Sequence, residues 1–145
     1  MREINRIILH CAATIEGGHY DVETIRRWHV EDKNYTDIGY HYVIYLDGSI
    51  HVGRSLDVAG AHTRGHNHDS IGVCYVGGLD IDGNPKDTMT PMQDVAVIHL
   101  VKSLRLILGR HLKVYGHNDF AKKACPCFNV ESKYNFLNQQ HGISN

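Results

Sequence analysis

Short apolar runs separate amphipathic segments along the chain, and this pattern predicts strands interleaved with helices. Runs rich in β-branched and aromatic residues are typical of buried strands. Asp47-Gly48 lies between two of these runs and is typical of a hairpin turn. Five strands are predicted, over residues 4–13, 39–46, 49–54, 70–78 and 112–115.

Three other segments carry helix signals. Asp21 can cap a helix in which residues 22, 25, 28 and 29 share one face. Asn129 begins a segment, NVESKYNFLNQQ, that favours a terminal helix. Because helices and short strands alternate, we expect an α/β fold in which helices flank a central mixed sheet.

The clearest local signal begins the second helix. Thr90 is an N-cap residue, Pro91 stands at the first helical position, and Gln93 follows the cap by three residues. Gly109 is expected to end this helix. Helical spacing predicts that its buried face is formed by Val95, Ile98, Val101 and Leu104.

Composition and charge narrow the class of protein. The 145 residues are 42% hydrophobic and 21% charged, which is typical of a soluble globular protein and fits one domain over residues 1–145. The chain has 15 Lys and Arg against 16 Asp and Glu. This balance excludes a strongly basic nucleic-acid clamp and argues against a polybasic membrane binder. We expect a monomer that neither binds nucleic acid nor inserts into membranes.

The first residues do not have the pattern of an export signal. The apolar run 7–9 is too short, and Arg6 and His10 bracket it. No stretch approaches the ~18 apolar residues of a membrane span. We therefore expect synthesis in the cytoplasm without a signal peptide. The four cysteines form no C-x-x-C pair and do not resemble a disulfide scaffold.

Histidine is unusually frequent, at 12 residues, and it is the commonest metal ligand and titrates near neutral pH. His10 lies toward the C-terminal end of the first predicted strand, His117 follows the last strand, and Cys125 comes eight residues later. Two imidazoles and one thiolate would leave an open position on a tetrahedral zinc ion, as catalytic zinc sites do. No local two-ligand motif such as H-E-x-x-H supports this set, so spacing alone leaves it one candidate among others.

A second histidine cluster competes with that set. His62, His66 and His68 lie close together in sequence. However, a glycine-containing loop of alternating histidines is often a solvated or substrate-facing surface. Tyr40, at the head of the second strand, could reach a bound water or simply pack against its neighbours.

The segment KKACPCF (122–128) adds a candidate for charge stabilisation. An extended backbone would place Lys123, Cys125 and Cys127 on one face. A lysine beside a thiolate-bound metal can stabilise an oxyanion. This reasoning leaves either Cys125 or Cys127 as the ligand.

The order of several short motifs is more specific than any one of them. They are HCAAT (10–14), a Trp-bearing helix (28), GYHYVI (39–44), DG (47–48), GAHTRGHNHDSIGVCYVGG (60–78), TPMQ (90–93), GHND (116–119) and KKACPCF (122–128). Over about residues 4–128 this series resembles the type-2 N-acetylmuramoyl-L-alanine amidases. That group is shared by small bacteriophage lysins and peptidoglycan recognition proteins, and the resemblance is closest to short, single-domain phage lysins.

The resemblance implies a ligand set and two catalytic residues. It implies one zinc ion held by His10, His117 and Cys125, because the family's cysteine directly precedes a proline. The family's catalytic tyrosine stands in the GYH motif, which implies Tyr40. The catalytic lysine of the phage branch stands two residues before the cysteine, which implies Lys123.

The resemblance also implies substrate contacts and an activity. His62, Asn67 and Trp28 would contact the substrate. The enzyme would hydrolyse the amide between the lactyl group of N-acetylmuramic acid and L-alanine in bacterial peptidoglycan, as a phage or prophage endolysin that reaches the wall after release. Two alternatives stay open: a cytoplasmic amidase that recycles anhydro-muropeptides, and a peptidoglycan-binding module without activity. Cys127 departs from the family, since phage lysins commonly carry a small polar residue there.

Overall fold

The structure, a computed structural model, describes residues 1–139. Within these residues, strands form one five-stranded and one two-stranded sheet. The strands are β1 (Arg6–Cys11), β2 (Thr14–Ile15), β3 (Tyr42–Ile44), β4 (Ile50–Val52), β5 (Ser70–Tyr75), β6 (Gly78–Leu79) and β7 (Lys113–Gly116). The helices are α1 (Val22–Arg27), which a π-helical turn (Trp28–Asp32) continues, α2 (Pro91–Leu108) and α3 (Val130–Asn138).

The larger sheet is mixed and has the strand order β4-β3-β5-β1-β7. β1 pairs in parallel with β5 and β7, and β3 pairs in parallel with β5. β4 returns antiparallel to β3 through the predicted turn at Asp47-Gly48. The carboxyl ends of parallel strands meet at one edge of a sheet, so His10, near the end of β1, and His117, directly after β7, lie close together. The predicted fold class is confirmed.

The two faces of the sheet have different neighbours. Side chains alternate along a strand, and Ile7 and Leu9 of β1 enter the main apolar core beneath α2 and α3. His10 points to the opposite face, where Tyr40 lies beside it. A smaller apolar cluster that includes Ile25 of α1 packs on that face. His10 and Tyr40 therefore lie opposite the main core.

Helix α2 begins and ends where the sequence predicts. Thr90 and Gln93 form the reciprocal capping box, and Gly109 follows the helix in the left-handed conformation at φ 64°. The predicted buried face is wrong in part, because Val95 is 60% exposed. The residues of α2 that are buried are Gln93, Ala96, Val97, Leu100, Val101 and Leu104.

Gln93 is the one polar side chain on the buried face of α2. Its amide nitrogen donates to the backbone carbonyls of Ile44 at 3.2 Å and Val76 at 3.0 Å. A polar side chain can be buried between a helix and a sheet when its amide is hydrogen-bonded, as the Gln93 amide is to these two carbonyls. Gln93 therefore belongs to the buried face of α2, together with the apolar side chains of Ala96, Val97 and Leu100.

Some strand boundaries differ from the predictions. The run over 70–78 leaves the large sheet after Tyr75, because Gly77 and Gly78 turn the chain at positive φ values of 130° and 106°. The chain then forms β6, which pairs in parallel with β2. The hydrophobic pattern does not predict this small sheet, since each of its strands has only two residues.

The terminal helix packs against the edge of the sheet. The side chain of Asn138 accepts the N–H of Val114 at 2.7 Å and donates to its carbonyl at 2.9 Å, which joins α3 to β7. Gln140, at the end of the predicted helical segment, lies outside the described residues, as do residues 141–145. One domain over 1–145 stays a prediction. Among residues 1–139, no helix is both long enough and apolar enough to cross a membrane.

Candidate metal centre and groove

Three predicted metal ligands converge at the carboxyl edge of the sheet. His10, His117 and Cys125 each offer one ligand atom, and these atoms lie within 4.8 Å of one another. Nδ1 of His10 is 3.7 Å from Sγ of Cys125. A nitrogen and a sulfur that both bind one tetrahedral zinc ion are about 3.6 Å apart. The donor types and this spacing therefore fit zinc.

Backbone contacts hold the three side chains together. The parallel register of β1 with β7 places the residues that precede His10 and His117 side by side. The N–H of Asn118 donates to the carbonyl of Cys125 at 2.9 Å, which joins the turn after β7 to the cysteine segment. The N–H of Cys11 donates to Sγ of Cys125 at 3.2 Å. This last bond fixes the sulfur on the side of the imidazoles.

Both imidazoles are held in the neutral form. Burial is the main cause that lowers the pKa of His10 well below its usual value, and the neighbouring His62 and His117 lower it further. Burial also lowers the pKa of His117, with a contribution from the ammonium of Lys123. A neutral imidazole has the free lone pair that metal coordination requires. Both imidazoles therefore offer a lone pair to a cation at neutral pH.

The segment that carries the cysteine is a turn rather than an extended strand. The N–H of Cys127 donates to the carbonyl of Ala124 at 2.6 Å, and Cys127 has a φ of 73°. The prediction that Lys123, Cys125 and Cys127 share one face is therefore wrong, because it assumes extended backbone. Sγ of Cys127 lies 3.7 Å from Sγ of Cys11. Of the two candidate cysteines, Cys125 is the one that joins the histidines.

Tyr40 lies beside the candidate ligand His10. Their ring centroids are 5.1 Å apart, and the ring of His29 is 5.2 Å from that of Tyr40 on another side. Nδ1 of His29 accepts the N–H of Gly39 at 2.8 Å, which fixes this neighbouring imidazole. Burial raises the pKa of the Tyr40 phenol well above its usual value. The phenol is therefore protonated at neutral pH and can donate a hydrogen bond.

An open groove of about 700 Å³ is lined in part by the candidate ligand His117. Four of the predicted residues share it: Lys123, His117, His62 and Asn67. Lys123 is exposed and lines the groove together with His117, and its positive charge lowers the pKa of that imidazole. The complete lining is Tyr35, Ala61, His62, Thr63, Arg64, Asn67, His117, Phe120, Ala121 and Lys123.

Trp28 is not among the residues that line this groove. It lies in the π-helical turn after α1, and its ring packs against that of Tyr20 with centroids 5.6 Å apart. Both rings rest on the smaller apolar cluster. A packing role explains this position, and the substrate contact of Trp28 stays a prediction.

The second histidine cluster does not form a ligand set. His62 is buried, whereas His68 is exposed. His66 packs against the ring of Phe120, with centroids 4.1 Å apart and an angle of 32° between the ring planes. Because the three imidazoles have these different surroundings, they offer no common point to a metal ion.

Sequence reasoning missed the hydrogen-bond partner of His10. Nε2 of His10 is 2.8 Å from Nδ1 of His62, and Oγ1 of Thr63 is 3.2 Å from the same Nε2. The side-chain oxygen of Asn67 accepts the N–H groups of His62 and Thr63, both at 2.9 Å. His10 and His62 are 52 positions apart, so no local pattern could reveal this contact. The family resemblance pointed to the loop, but only as a substrate contact.

Comparison with known proteins assigns this fold and site to a family. Residues 1–128 match the family Amidase_2, N-acetylmuramoyl-L-alanine amidase. The chain belongs to this family. The match includes the whole five-stranded sheet and the converging residues at its edge. The predicted enzyme class, an N-acetylmuramoyl-L-alanine amidase, is thereby confirmed.

Relatives and solved structures agree with this assignment. The endolysin of Klebsiella phage KP32 is 38% identical over 144 residues, which cover 97% of this chain and 94% of the relative. The endolysin amidase LysCS from Clostridium intestinale is 26% identical, with a TM-score of 0.78 over 96% of this chain and 86% of that one. One chain of the crystal structure of the peptidoglycan recognition proteins LCa and LCx with bound tracheal cytotoxin matches at 25% identity and a TM-score of 0.74, over 87% of this chain and 77% of that one. The resemblance to both branches of the family is confirmed.

Proposed function

We propose that the chain is a zinc-dependent endolysin that hydrolyses the amide between the lactyl group of N-acetylmuramic acid and L-alanine in bacterial peptidoglycan. The convergence of His10, His117 and Cys125 beside an open groove is the observation that carries this proposal. Family membership supports the reaction. The openness and size of the groove support a large substrate, and the similarity to peptidoglycan recognition proteins favours peptidoglycan or its fragments.

His10, His117 and Cys125 would hold one zinc ion. Three protein ligands with nitrogen and thiolate donors are typical of catalytic zinc, which keeps its fourth position open. When bound, zinc supplies the Lewis acidity that polarises a carbonyl group and makes water a nucleophile at neutral pH. The substrate amide is a poor electrophile, so hydrolysis needs both effects.

Lys123 would stabilise the negative charge that develops on the amide oxygen. Its side chain is exposed in the groove, and its positive charge acts on both His10 and His117. An ammonium that already stands where charge develops needs no reorganisation during the reaction. The loss of one such donor typically costs ~10²–10³ in rate.

Tyr40 would orient the attacking water. Its phenol lies beside His10 and is kept protonated by burial, which raises its pKa. A protonated phenol can donate one hydrogen bond and accept another. Tyr40 can therefore hold a water molecule near the metal ligands without taking a charge itself.

Mass spectrometry of purified sacculi, digested with and without a chelator, tests this function. We expect stem peptides with a free L-alanine amine and glycan strands with intact lactyl groups. These products should vanish after chelation and return when zinc is added. His99→Ala, on the exposed side of α2, is a control that should cleave like the unchanged protein.

The same assay separates the alternatives. Cleavage of soluble anhydro-muropeptides without cleavage of sacculi would replace the endolysin by a recycling amidase. Binding of peptidoglycan without release of amine would contradict an active enzyme. Full activity after complete chelation would contradict the zinc dependence.

A further inference from the structure

We propose that His62 is a positioning residue that holds His10 in the tautomer that the metal centre needs. The inference rests on the proposed zinc centre and goes beyond it, because it gives a new role to a residue predicted only to contact substrate. Nδ1 of His10 faces Sγ of Cys125 at 3.7 Å, and its Nε2 faces Nδ1 of His62 at 2.8 Å. A metal-binding Nδ1 needs its lone pair, so the proton of a neutral His10 must be on Nε2.

Hydrogen bonds link His10 to His62, His62 to Ser70, and Ser70 to the backbone carbonyl of His66. That carbonyl sets the direction in which each of these bonds donates. The carbonyl of His66 can only accept, so the hydroxyl of Ser70 donates to it at 2.7 Å. Oγ of Ser70 then accepts from Nε2 of His62 at 3.2 Å. Nδ1 of His62 is left as an acceptor for the proton on Nε2 of His10. The network thus leaves Nδ1 of His10 unprotonated on the side of Cys125.

Thr63 supports the same direction. Its Oγ1 is 3.0 Å from Nδ1 of His62 and 3.2 Å from Nε2 of His10. The hydroxyl of Thr63 can donate to Nδ1 of His62 and accept from Nε2 of His10 at the same time. Both bonds agree with a proton on Nε2 of His10. The four side chains are buried, with His62 the most exposed at 9%. Removal of the His62 acceptor would therefore leave the buried Nε2–H of His10 with only the longer contact to Thr63, which weakens a buried hydrogen bond.

The packing around His62 fixes the place of its ring. A Cβ atom on Gly72 would lie 2.5 Å from Cδ2 of His62, and one on Gly60 would lie 2.6 Å from the same atom. The imidazole therefore fills a slot that exists because these two residues have no side chain. Asn67 holds the backbone of His62 and Thr63 from the other side. The acceptor is thus preset in space before any metal binds.

Variants of His62 with and without an acceptor test this role. His62→Leu removes the acceptor, whereas Oδ1 in His62→Asn takes about the position of Nδ1 and keeps it. In a competition with a coloured chelator, we expect His62→Leu to bind zinc about 10- to 100-fold more weakly. His62→Asn should recover most of that loss, and the control His99→Leu should bind like the unchanged protein. Equal zinc affinity in His62→Leu and the unchanged protein would overturn the inference.

A spectroscopic measurement tests the tautomer of His10 directly. It uses the unchanged, metal-free protein, so its result does not depend on whether a His62 variant folds. Side-chain ¹⁵N chemical shifts of the metal-free protein should place the proton of His10 on Nε2. A proton on Nδ1 would overturn the inference. If the unchanged protein bound no zinc, the proposed centre would fail, whereas a proton on Nε2 would still support the hydrogen-bond network. The two failures are therefore distinguishable.

Discussion

The two faces of β1 are stabilised in different ways. Toward α2, Ile7 and Leu9 enter a core of apolar side chains, where volume and shape matter. Toward the groove, His10 enters a buried network of hydrogen bonds with His62. An apolar core tolerates substitutions of similar volume, whereas a buried polar network fails when one donor or acceptor is removed. The comparison separates the residues that stabilise the fold from those that make the site.

The largest effect should come from a metal ligand on the groove face. Cys125→Ser replaces a soft thiolate with a hydroxyl, which is a poor zinc ligand. We expect amide hydrolysis on sacculi to fall at least ~10³-fold, because the chemistry depends on the metal. Zinc content, measured by atomic emission, should fall with it. A variant that keeps both full zinc and full activity would remove Cys125 from the site.

Lys123→Ala should separate metal binding from charge stabilisation. The side chain is exposed and is not a ligand, so zinc content and thermal stability should stay unchanged. The rate of hydrolysis should fall ~10²–10³-fold, because a donor to the developing charge is lost. Lys122→Ala, the neighbouring exposed lysine, is the matched control. If the two variants are equally active, the role assigned to Lys123 is wrong.

A change of pH should act on the groove face through its buried histidines. Burial lowers the pKa of His41 and of His29 to about 4, against ~6.5 in an unfolded chain. Between these values the unfolded state binds more protons, so stability is fully present above ~pH 6.5 and is lost as the pH falls toward 4. Each residue should remove about 1.4 kcal/mol per pH unit. Urea unfolding of the metal-free protein measures this slope, and a free energy of unfolding that stays flat over this range would contradict it.

The smallest expected effects are changes in the free energy of unfolding, and they distinguish the buried side of α2 from its exposed side. Val97 is 1% exposed in the main core, whereas Val95 is 60% exposed. Val97→Ala should lower the free energy of unfolding by about 2 kcal/mol, because it removes buried methyl groups and leaves a cavity. Val95→Ala should change it by less than about 0.5 kcal/mol. Similar losses in both variants would mean that the buried face of α2 is misassigned.

The sequence predicted those parts of the fold that depend on interactions between residues close together in the chain. The capping box at Thr90 and the glycine at 109 predicted the bounds of α2, because each signal acts within a few residues. The Asp47-Gly48 turn predicted the hairpin for the same reason. The burial of Gln93 escaped prediction, because its carbonyl partners are 49 and 17 positions away.

The order of the sequence motifs predicted the candidate ligands of the site but not the hydrogen bonds behind them. Spacing alone left His10, His117 and Cys125 as one candidate among others. The two histidines come together through the long-range pairing of β1 with β7, and Cys125 lies in a turn beyond them. The family motifs selected this set, and the structure brings its ligand atoms together. The position of His62 behind His10 escaped prediction, because it depends on a hydrogen bond between two distant segments.

The central claim is that His10, His117 and Cys125 bind zinc, and X-ray absorption at the zinc edge tests it most directly. The account predicts one sulfur at about 2.3 Å and two imidazole nitrogens at about 2.0 Å from the metal. It also predicts that the sulfur signal disappears in Cys125→Ser. A zinc site without sulfur in the unchanged protein, or one that keeps its sulfur in Cys125→Ser, would contradict the account.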